Sequence, residues 1–166
     1  MLSTMQEYPL TISAILRYAA GVHGDRRVTT ATGGGGYRHT TYAEVGRQAG
    51  RLANALRRLG ITGDERVATF MWNNQEHLEA YVAIPSMGAV LHTLNIRLFP
   101  EQIEFVAYEA EDKVVIADLC LAPLLAPVIA AMETVHTVIT VGAGDDSALR
   151  VPGKQVLRYE ELTAAE

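Results

Sequence analysis

A disulfide framework is excluded within this chain, because its 166 residues contain a single cysteine, Cys120. Such sparing use of cysteine is typical of proteins in a reducing compartment, so we expect a cytoplasmic location. Cys120 stands inside the apolar stretch 119–123. A thiol among apolar neighbours is usually buried and inert, and we therefore predict that Cys120 is not a nucleophile.

Long apolar runs are also lacking. No segment reaches the roughly 20 apolar residues that a membrane-spanning helix needs, and the apolar stretch 119–132 is interrupted by Pro123 and Pro127. The N-terminus does not show a basic start followed by an apolar run, so no signal peptide is predicted. We expect no transmembrane segment, while peripheral contact with a membrane stays open.

Positive charge is not interleaved with aromatic residues, of which there are seven Tyr, three Phe and one Trp. This pattern argues against a nucleic-acid partner. Charge is nevertheless uneven: residues 1–60 carry eight Arg against three acidic residues, whereas residues 61–166 carry six Lys or Arg against sixteen acidic residues. The basic end is either a solvated face or a surface for an anionic neighbour.

Motifs that carry chemistry are missing as well. The five histidines do not pair with other ligands at metal-binding spacings, and no Gly-x-Ser-x-Gly elbow occurs. The glycine run 33–36 lacks the lysine of a phosphate loop and is followed by the strand-like segment 37–41. We interpret it as a hairpin turn, and we predict no catalytic, cofactor-binding or metal-binding residue in the chain.

Helical patterns occupy the first third of the sequence. Apolar residues recur at helical spacing over 12–23, after the possible caps Thr11 and Ser13. Residues 27–32 and 37–41 are predicted to form a hairpin. Thr41 and Glu44 have the spacing of a capping box at the start of a helix that runs to about residue 59. Its predicted buried stripe comprises Tyr42, Val45, Ala49, Leu52, Leu56 and Leu59.

Strands and helices alternate from residue 66 onward. The predicted strands are 67–71, 89–93, 114–117 and 135–141, with a short one at 156–159. The predicted helices are 75–86, 100–110 and 119–133, with a terminal helix opening at Tyr159. This alternation predicts an α/β fold: a mostly parallel sheet flanked by helices, with the 27–41 hairpin at its edge. Phe99 stands where a capping Ser or Thr would be expected, so it is either packed or exposed for a partner.

Candidate site residues follow two strand ends, because ligands bind at the carboxyl ends of parallel strands. His92 and Thr93 close one predicted strand, and Trp72, Asn73 and His77 follow another. We interpret these five residues as a possible pocket rim. The alternative for His92 is a histidine held by structural partners at a seam.

Several motifs resemble a known family. Residues 77–81 read His-Leu-Glu-Ala-Tyr, residues 87–93 read Met-Gly-Ala-Val-Leu-His-Thr, and residues 95–103 read Asn-Ile-Arg-Leu-Phe-Pro-Glu-Gln-Ile. Their order and spacing resemble the N-terminal subdomain of medium- and long-chain fatty-acyl-CoA synthetases of the adenylate-forming, or AMP-binding, superfamily. The start of the helix at 41–45 resembles the family's first conserved motif. The resemblance extends over about residues 10–162.

The resemblance implies an ATP-dependent ligase. Such enzymes convert a fatty acid with ATP and Mg²⁺ to an acyl-adenylate and pass the acyl group to coenzyme A. Their Pro-Lys-Gly phosphate loop, Tyr-Gly-x-Thr-Glu segment, ribose-binding Asp and catalytic Lys have no match in residues 1–166. We therefore expect residues 1–166 to be an N-terminal subdomain that stops before the phosphate loop. Alone it would be inactive and without cofactors, and its partner would be the remainder of the enzyme chain.

Two other interpretations stay open. One is a free-standing dimerisation or interaction module of the same fold, and the other is an unrelated nucleotide-binding α/β domain. The absence of a glycine fingerprint between a strand and a helix counts against the latter. The resemblance also implies a homodimer, since relatives exchange N-terminal arms. Residues 1–9 are predicted to be a flexible arm, in which Leu2, Met5 and Tyr8 are candidates for docking on a neighbour.

Overall fold

The computed structural model describes residues 7–166 as seven strands and six α-helices. An antiparallel hairpin and two helices come first. These elements are α1 (Ile12–Val22), β1 (Arg27–Ala31), β2 (Tyr37–Thr41) and α2 (Tyr42–Arg58). The alternating part follows with β3 (Arg66–Phe70), α3 (Gln75–Ser86), β4 (Val90–Thr93), α4 (Pro100–Ala110), β5 (Val114–Asp118), α5 (Ala122–Ile129), β6 (Thr137–Val141), β7 (Gln155–Arg158) and α6 (Tyr159–Ala164).

A five-stranded sheet organises the molecule. Its order is β4-β3-β5-β6-β7, and every neighbouring pair is parallel. The predicted α/β class with a parallel sheet is confirmed. The hairpin forms a two-stranded sheet of its own. Arg38 of β2 connects it to α3 through two hydrogen bonds of 2.5 and 2.6 Å to the Glu76 carboxylate.

Strand residues alternate between two hydrophobic cores, one on each face of the sheet. On one face, β3, β5 and β6 contribute Val67, Val114, Ile116 and Ile139, which pack with residues of α2, α3 and α6. On the other face, they contribute Ala68, Phe70, Val115 and Val138, which pack with residues of α4 and α5. The result is a three-layer α/β/α arrangement.

The amphipathic pattern of α2 places its apolar stripe in the first core. Val45, Ala49, Leu52 and Leu56 are at most 1% exposed, which confirms the predicted stripe at these positions. Thr41 Oγ1 accepts the Glu44 backbone N–H at 3.3 Å, as a capping residue should. The Glu44 side chain does not complete the predicted box, because its carboxylate pairs with Arg47 instead.

The glycine run forms a turn, as predicted. Thr32 donates its backbone N–H to Gly36 O at 2.9 Å, and Gly35 adopts a φ of +80°. A positive φ is easy for glycine, which has no Cβ to clash with the backbone. The run therefore joins two strands and does not open a helix, so it is not a phosphate loop.

The expectation that Cys120 is buried needs correction. Cys120 is exposed, because a 3₁₀ turn over Leu119–Leu121 buries both leucines and turns the thiol outward. Helix α1 has the predicted cap at Thr11, yet none of its residues is buried and Ile15 is 64% exposed. Among residues 7–166, no helix is long and apolar enough to cross a bilayer.

Candidate functional site at the switch point of the sheet

The strand order creates a crevice between β3 and β5. The chain leaves β3 toward β4 on one side and leaves β5 toward β6 on the other. Ligands in open α/β sheets bind at such a switch point, outside the carboxyl ends of the strands. A depression of about 510 Å³ lies there. It is lined by Ala31, Thr32, Gly33, Trp72, Asn73, Asn74, Asp118, Cys120, Val141, Gly142 and Ala143.

Asp118 fixes the floor of this depression. It ends β5 and is only 5% exposed. Its carboxylate accepts the Trp72 backbone N–H at 2.7 Å and the Asn74 side-chain amide at 2.8 Å. Burial raises the pKa of Asp118, and these two hydrogen bonds oppose that rise. Asp118 therefore ties the loop after β3 to the neighbouring strand end.

Asn74 and His77 complete the network from the other side. Asn74 caps α3, since its Oδ1 accepts the His77 backbone N–H at 2.9 Å. The buried His77 ring lies 2.9 Å from Thr69 Oγ1 through Nε2 and 3.1 Å from Trp72 O through Nδ1. Burial lowers the pKa of His77. Because both ring nitrogens have protein partners, His77 supports the loop from below and does not reach the rim.

Trp72 and Asn73 stand at the surface of the depression. The Trp72 side chain is 50% exposed although the backbone around it is held by Asp118 and His77. Asn73 is exposed beside it, and the Cys120 thiol faces the same space. The structure thus brings together two of the five predicted rim residues on a well-anchored loop.

His92 and Thr93 lie apart from this depression. They belong to β4, the edge strand on the far side of β3, so their strand end is not at the switch point. His92 Nδ1 is 2.8 Å from the carboxylate of Asp112, which is fully buried. Burial raises the pKa of Asp112, and the contact with His92 opposes that rise. His92 therefore has the partner expected of a structural histidine, and Thr93 is simply exposed.

Asn74, Asp118 and Cys120 also line the depression but are not among the predicted rim residues. Asp118 immediately follows the predicted strand 114–117, so the rule that selected Trp72 and Asn73 applies to it equally. Asn74 stands where a helix cap is expected. No sequence pattern indicates that Cys120 lines a site, because its neighbours are apolar and only the 3₁₀ turn exposes its thiol.

The chemistry available in the depression is limited. None of its lining residues is Lys, Arg or His, so nothing there would balance the charge of a polyphosphate. Across residues 7–166, no group of three His, Cys, Asp or Glu side chains could hold a metal ion. The Asp118 oxygens are already engaged by donors from the protein. The site offers an aromatic face, an amide and a thiol.

Replacing Asp118 with Asn tests the network. The new amide NH₂ would face either the Trp72 N–H or the Asn74 NH₂, leaving a donor without an acceptor. We expect a loss of about 1–2 kcal/mol in the free energy of unfolding, together with a shift in emission of the only tryptophan, Trp72. Glu161→Gln, on an exposed position of α6, is the control. Unchanged stability and emission would contradict this role for Asp118.

The predicted arm is only partly within the described residues. Leu2 and Met5 lie outside them. Tyr8 is 57% exposed and lines an apolar groove of about 480 Å³ on the outer side of α1. The same groove includes Leu10, Ile12, Ile15 and Tyr18.

Comparison with known families decides the class of the protein. The family model described as "AMP-binding enzyme" matches residues 16–163. The chain belongs to this family. Membership of the AMP-binding enzymes confirms the resemblance found in the sequence and excludes an unrelated nucleotide-binding domain.

Individual relatives of this AMP-binding chain are CoA ligases. It is 40% identical, over 99% of its length, to the long-chain-fatty-acid–CoA ligase of Thermus thermophilus. It is 36% identical, again over 99% of its length, to the 3-methylmercaptopropionyl-CoA ligase of Ruegeria pomeroyi. These matches cover 29% and 30% of the relatives. The chain therefore spans less than a third of their length.

A solved structure shows the same fold. The anthranilate CoA ligase AuaEII, in complex with anthranoyl-AMP, superposes on 98% of this chain with a TM-score of 0.81 at 20% identity. The superposed part is 30% of that protein. At this identity the likeness supports the fold alone.

Proposed function

We propose that this chain is the N-terminal part of an ATP-dependent fatty-acid–CoA ligase. The observation that carries the proposal is its 40% identity, over nearly the whole chain, to a long-chain-fatty-acid–CoA ligase of which it covers only 29%. The complete enzyme would convert a fatty acid with ATP and Mg²⁺ to an acyl-adenylate and then transfer the acyl group to CoA. The relatives differ in the acyl group that they are named for, since another is a 3-methylmercaptopropionyl-CoA ligase.

The residues present do not fit Mg²⁺ and ATP by themselves. The depression at the switch point has no cationic side chain, and adenylyl transfer needs positioned charge around the phosphates. The role of this part is to build a scaffold: the Asp118 network fixes the loop that carries Trp72 and Asn73 at one wall of a crevice. The remainder of the enzyme chain would supply the phosphate-binding and catalytic groups.

The isolated chain is expected not to bind ATP in the micromolar range and to form no acyl-adenylate. Titration calorimetry with ATP and Mg²⁺ measures the first, and release of pyrophosphate in the presence of a fatty acid measures the second. A full-length CoA ligase of the family, run in parallel, is the positive control. Micromolar binding of ATP by residues 1–166 would show that the scaffold role is wrong.

Reading the nucleotides that follow the codon for Glu166 tests the ligase proposal directly. A Ser/Thr/Gly-rich segment ending in Pro-Lys-Gly would support it, and the protein expressed from the longer frame should then form acyl-CoA. A stop codon would favour a free-standing interaction module. The single cysteine of residues 1–166 supports a location in the reducing cytoplasm.

We also propose that the chain forms a homodimer through the outer side of α1. Leu10 is 99% exposed, and Ile15 and Tyr18 are more than 60% exposed. A contiguous apolar patch of this kind is typical of an interaction surface, and a closed two-fold pairing buries it on both copies. The arm, with Leu2, Met5 and Tyr8, would contribute to the same contact.

Light scattering on three chains tests the dimer: the intact chain, one lacking residues 1–8, and Ile15→Ser/Tyr18→Ser. We expect the intact chain to be dimeric and both variants to dissociate at the same concentration. A monomeric intact chain would refute the dimer. If the truncated chain remains dimeric, the arm makes no contribution to the contact. If Ile15→Ser/Tyr18→Ser remains dimeric, the α1 patch makes no contribution.

A further inference from the structure

Helix α4 has two apolar faces, although it packs against the protein on only one. Ile103 and Ala107 are buried in the core on the side of the sheet covered by α4 and α5. Phe105 and Tyr108 lie on the opposite face and are 62% and 57% exposed. The exposed aromatic pair is separated by three positions, so both rings belong to one stripe of the helix surface. Neither ring belongs to one of the two hydrophobic cores.

Carboxylates surround the two rings. Phe105 and Tyr108 line a surface groove of about 500 Å³ together with Glu101, Glu104, Ala131 and Glu133. The three glutamates are exposed, and in the described part of the chain none of them forms an ion pair. The Lys154 charge interacts with that of Glu133, but the Lys154 Nζ is engaged by the backbone, since it donates to Met132 O at 2.6 Å and Val135 O at 2.7 Å. The groove thus combines aromatic faces with unbalanced negative charge.

We propose that this groove, hereafter the α4 groove, is a docking surface for a cationic amphipathic helix of a partner protein. Lysine or arginine side chains of that helix would lie between the three carboxylates and over the rings of Phe105 and Tyr108. Its apolar side chains would cover Ala131 and the ring edges. Helix α4 has 11 residues and is therefore about 16 Å long, which is enough to contact two to three turns of a partner helix.

Charge complementarity selects this occupant. Cations are attracted to the faces of aromatic rings, and the adjacent carboxylates strengthen the attraction. An anionic partner, such as a nucleic acid or an acidic lipid surface, would be repelled by Glu101, Glu104 and Glu133. A purely apolar partner would leave the three carboxylates partly desolvated without a counter-charge. A cationic amphipathic helix satisfies the rings and the carboxylates together.

The probe for the experiment is a synthetic 18-residue peptide of leucine and lysine, patterned to form an amphipathic helix. A peptide with glutamate in place of every lysine serves as the probe control. Binding to the 166-residue chain is measured by fluorescence anisotropy of the labelled peptide at low ionic strength. We expect the lysine peptide to bind and the glutamate peptide to bind at least about tenfold more weakly.

Matched variants separate the groove from general charge. We expect Phe105→Ala/Tyr108→Ala and Glu101→Lys/Glu104→Lys each to weaken binding by about tenfold or more. Phe99→Ala removes an equally exposed aromatic ring outside the groove, and Glu109→Lys adds a cation on α4 outside the groove. Both should bind within about twofold of the parent. Circular dichroism verifies that each variant is folded.

Three outcomes would overturn the proposal. The first is no binding of the lysine peptide to the parent chain. The second is equal weakening by groove variants and control variants, because net charge alone would then explain the binding. The third is self-association of the parent that Phe105→Ala/Tyr108→Ala abolishes, since the occupant would then be a second copy of this chain.

Discussion

Replacing Leu52 with Asp is expected to unfold the protein or to lower its melting temperature by more than about 10 °C. Leu52 is fully buried at the centre of the α2 stripe. There it belongs to the same core as Ala80 and Ile84 of α3. The substitution removes these apolar contacts and places an unpaired carboxylate in a medium that solvates charge poorly. The cost, about 4–5 kcal/mol or more, is comparable with the whole stability of a typical domain.

Asn54→Asp is the matched control for this substitution. It introduces the same carboxylate into the same helix, but at an exposed position two residues away. We expect a change within about 0.5 kcal/mol, as for most surface substitutions. Thermal denaturation followed by circular dichroism measures both variants. If Leu52→Asp melts within a few degrees of Asn54→Asp, the buried face of α2 has been assigned wrongly.

The contrast between these two positions shows which parts of the fold are predictable. The Leu52 face follows from apolar spacing at a helical period, a pattern that depends on the chain alone. Residues 67–70, 114–117 and 137–141 are likewise apolar enough to be recognised as buried strands. The order of these strands in the sheet cannot be predicted in the same way. No local pattern in the sequence indicates that β6 pairs with β5 and not with β4.

Because the strand order cannot be derived from the sequence, the sequence could not show which predicted rim residues line the depression. Trp72 and His92 both stand near the carboxyl end of a strand, and sequence reasoning treats them alike. Only the three-dimensional order places β3 beside β5 at the switch point and β4 at the edge. The pairing of Asp118 with the loop at Trp72 depends on the same adjacency, so that network could not be derived from spacing.

Local geometry explains the error at Cys120. An apolar stretch predicts burial on average, but the three residues of a single 3₁₀ turn point in three different directions. Leu119 and Leu121 both reach the core, and the residue between them points to solvent. Composition alone cannot distinguish this arrangement from a regular buried helix.

A second polar network, between α3 and α6, is also invisible in the sequence. Glu79 is only 1% exposed, and its carboxylate accepts the Tyr159 hydroxyl at 2.6 Å and the Gln75 amide at 2.7 Å. Burial raises the pKa of Tyr159, so this phenol stays protonated and remains a donor. The two residues are 80 positions apart in the chain, yet their hydrogen bond joins the terminal helix to the first core.

Burial also raises the pKa of Glu79 above its ordinary value of 4.5, while Tyr159, Gln75 and Arg38 oppose that rise. An acid whose pKa is higher in the folded state holds its proton more tightly there than in the unfolded chain. Its contribution to stability is therefore greatest below pH 4.5 and is lost as the pH rises through the folded pKa. The nearby charge of Glu76 raises the pKa of Glu79 in the same direction as burial.

Tyr159→Phe is expected to lower the free energy of unfolding at pH 7 by about 1.5–3 kcal/mol, because it removes the hydroxyl donor from a buried carboxylate.

Glu79→Gln should remove the part of the pH dependence of stability that begins near pH 4.5. The parent should therefore lose stability relative to Glu79→Gln as the pH rises. Urea denaturation from pH 4 to pH 8 measures both effects, with Tyr108→Phe as the control at an exposed tyrosine. In Tyr159→Phe the Glu79 proton should be held still more tightly, which extends the pH-dependent range upward. Parallel stability curves for the parent and Glu79→Gln would show that Glu79 titrates alike in the folded and unfolded chain, and the link between α3 and α6 would then be independent of pH.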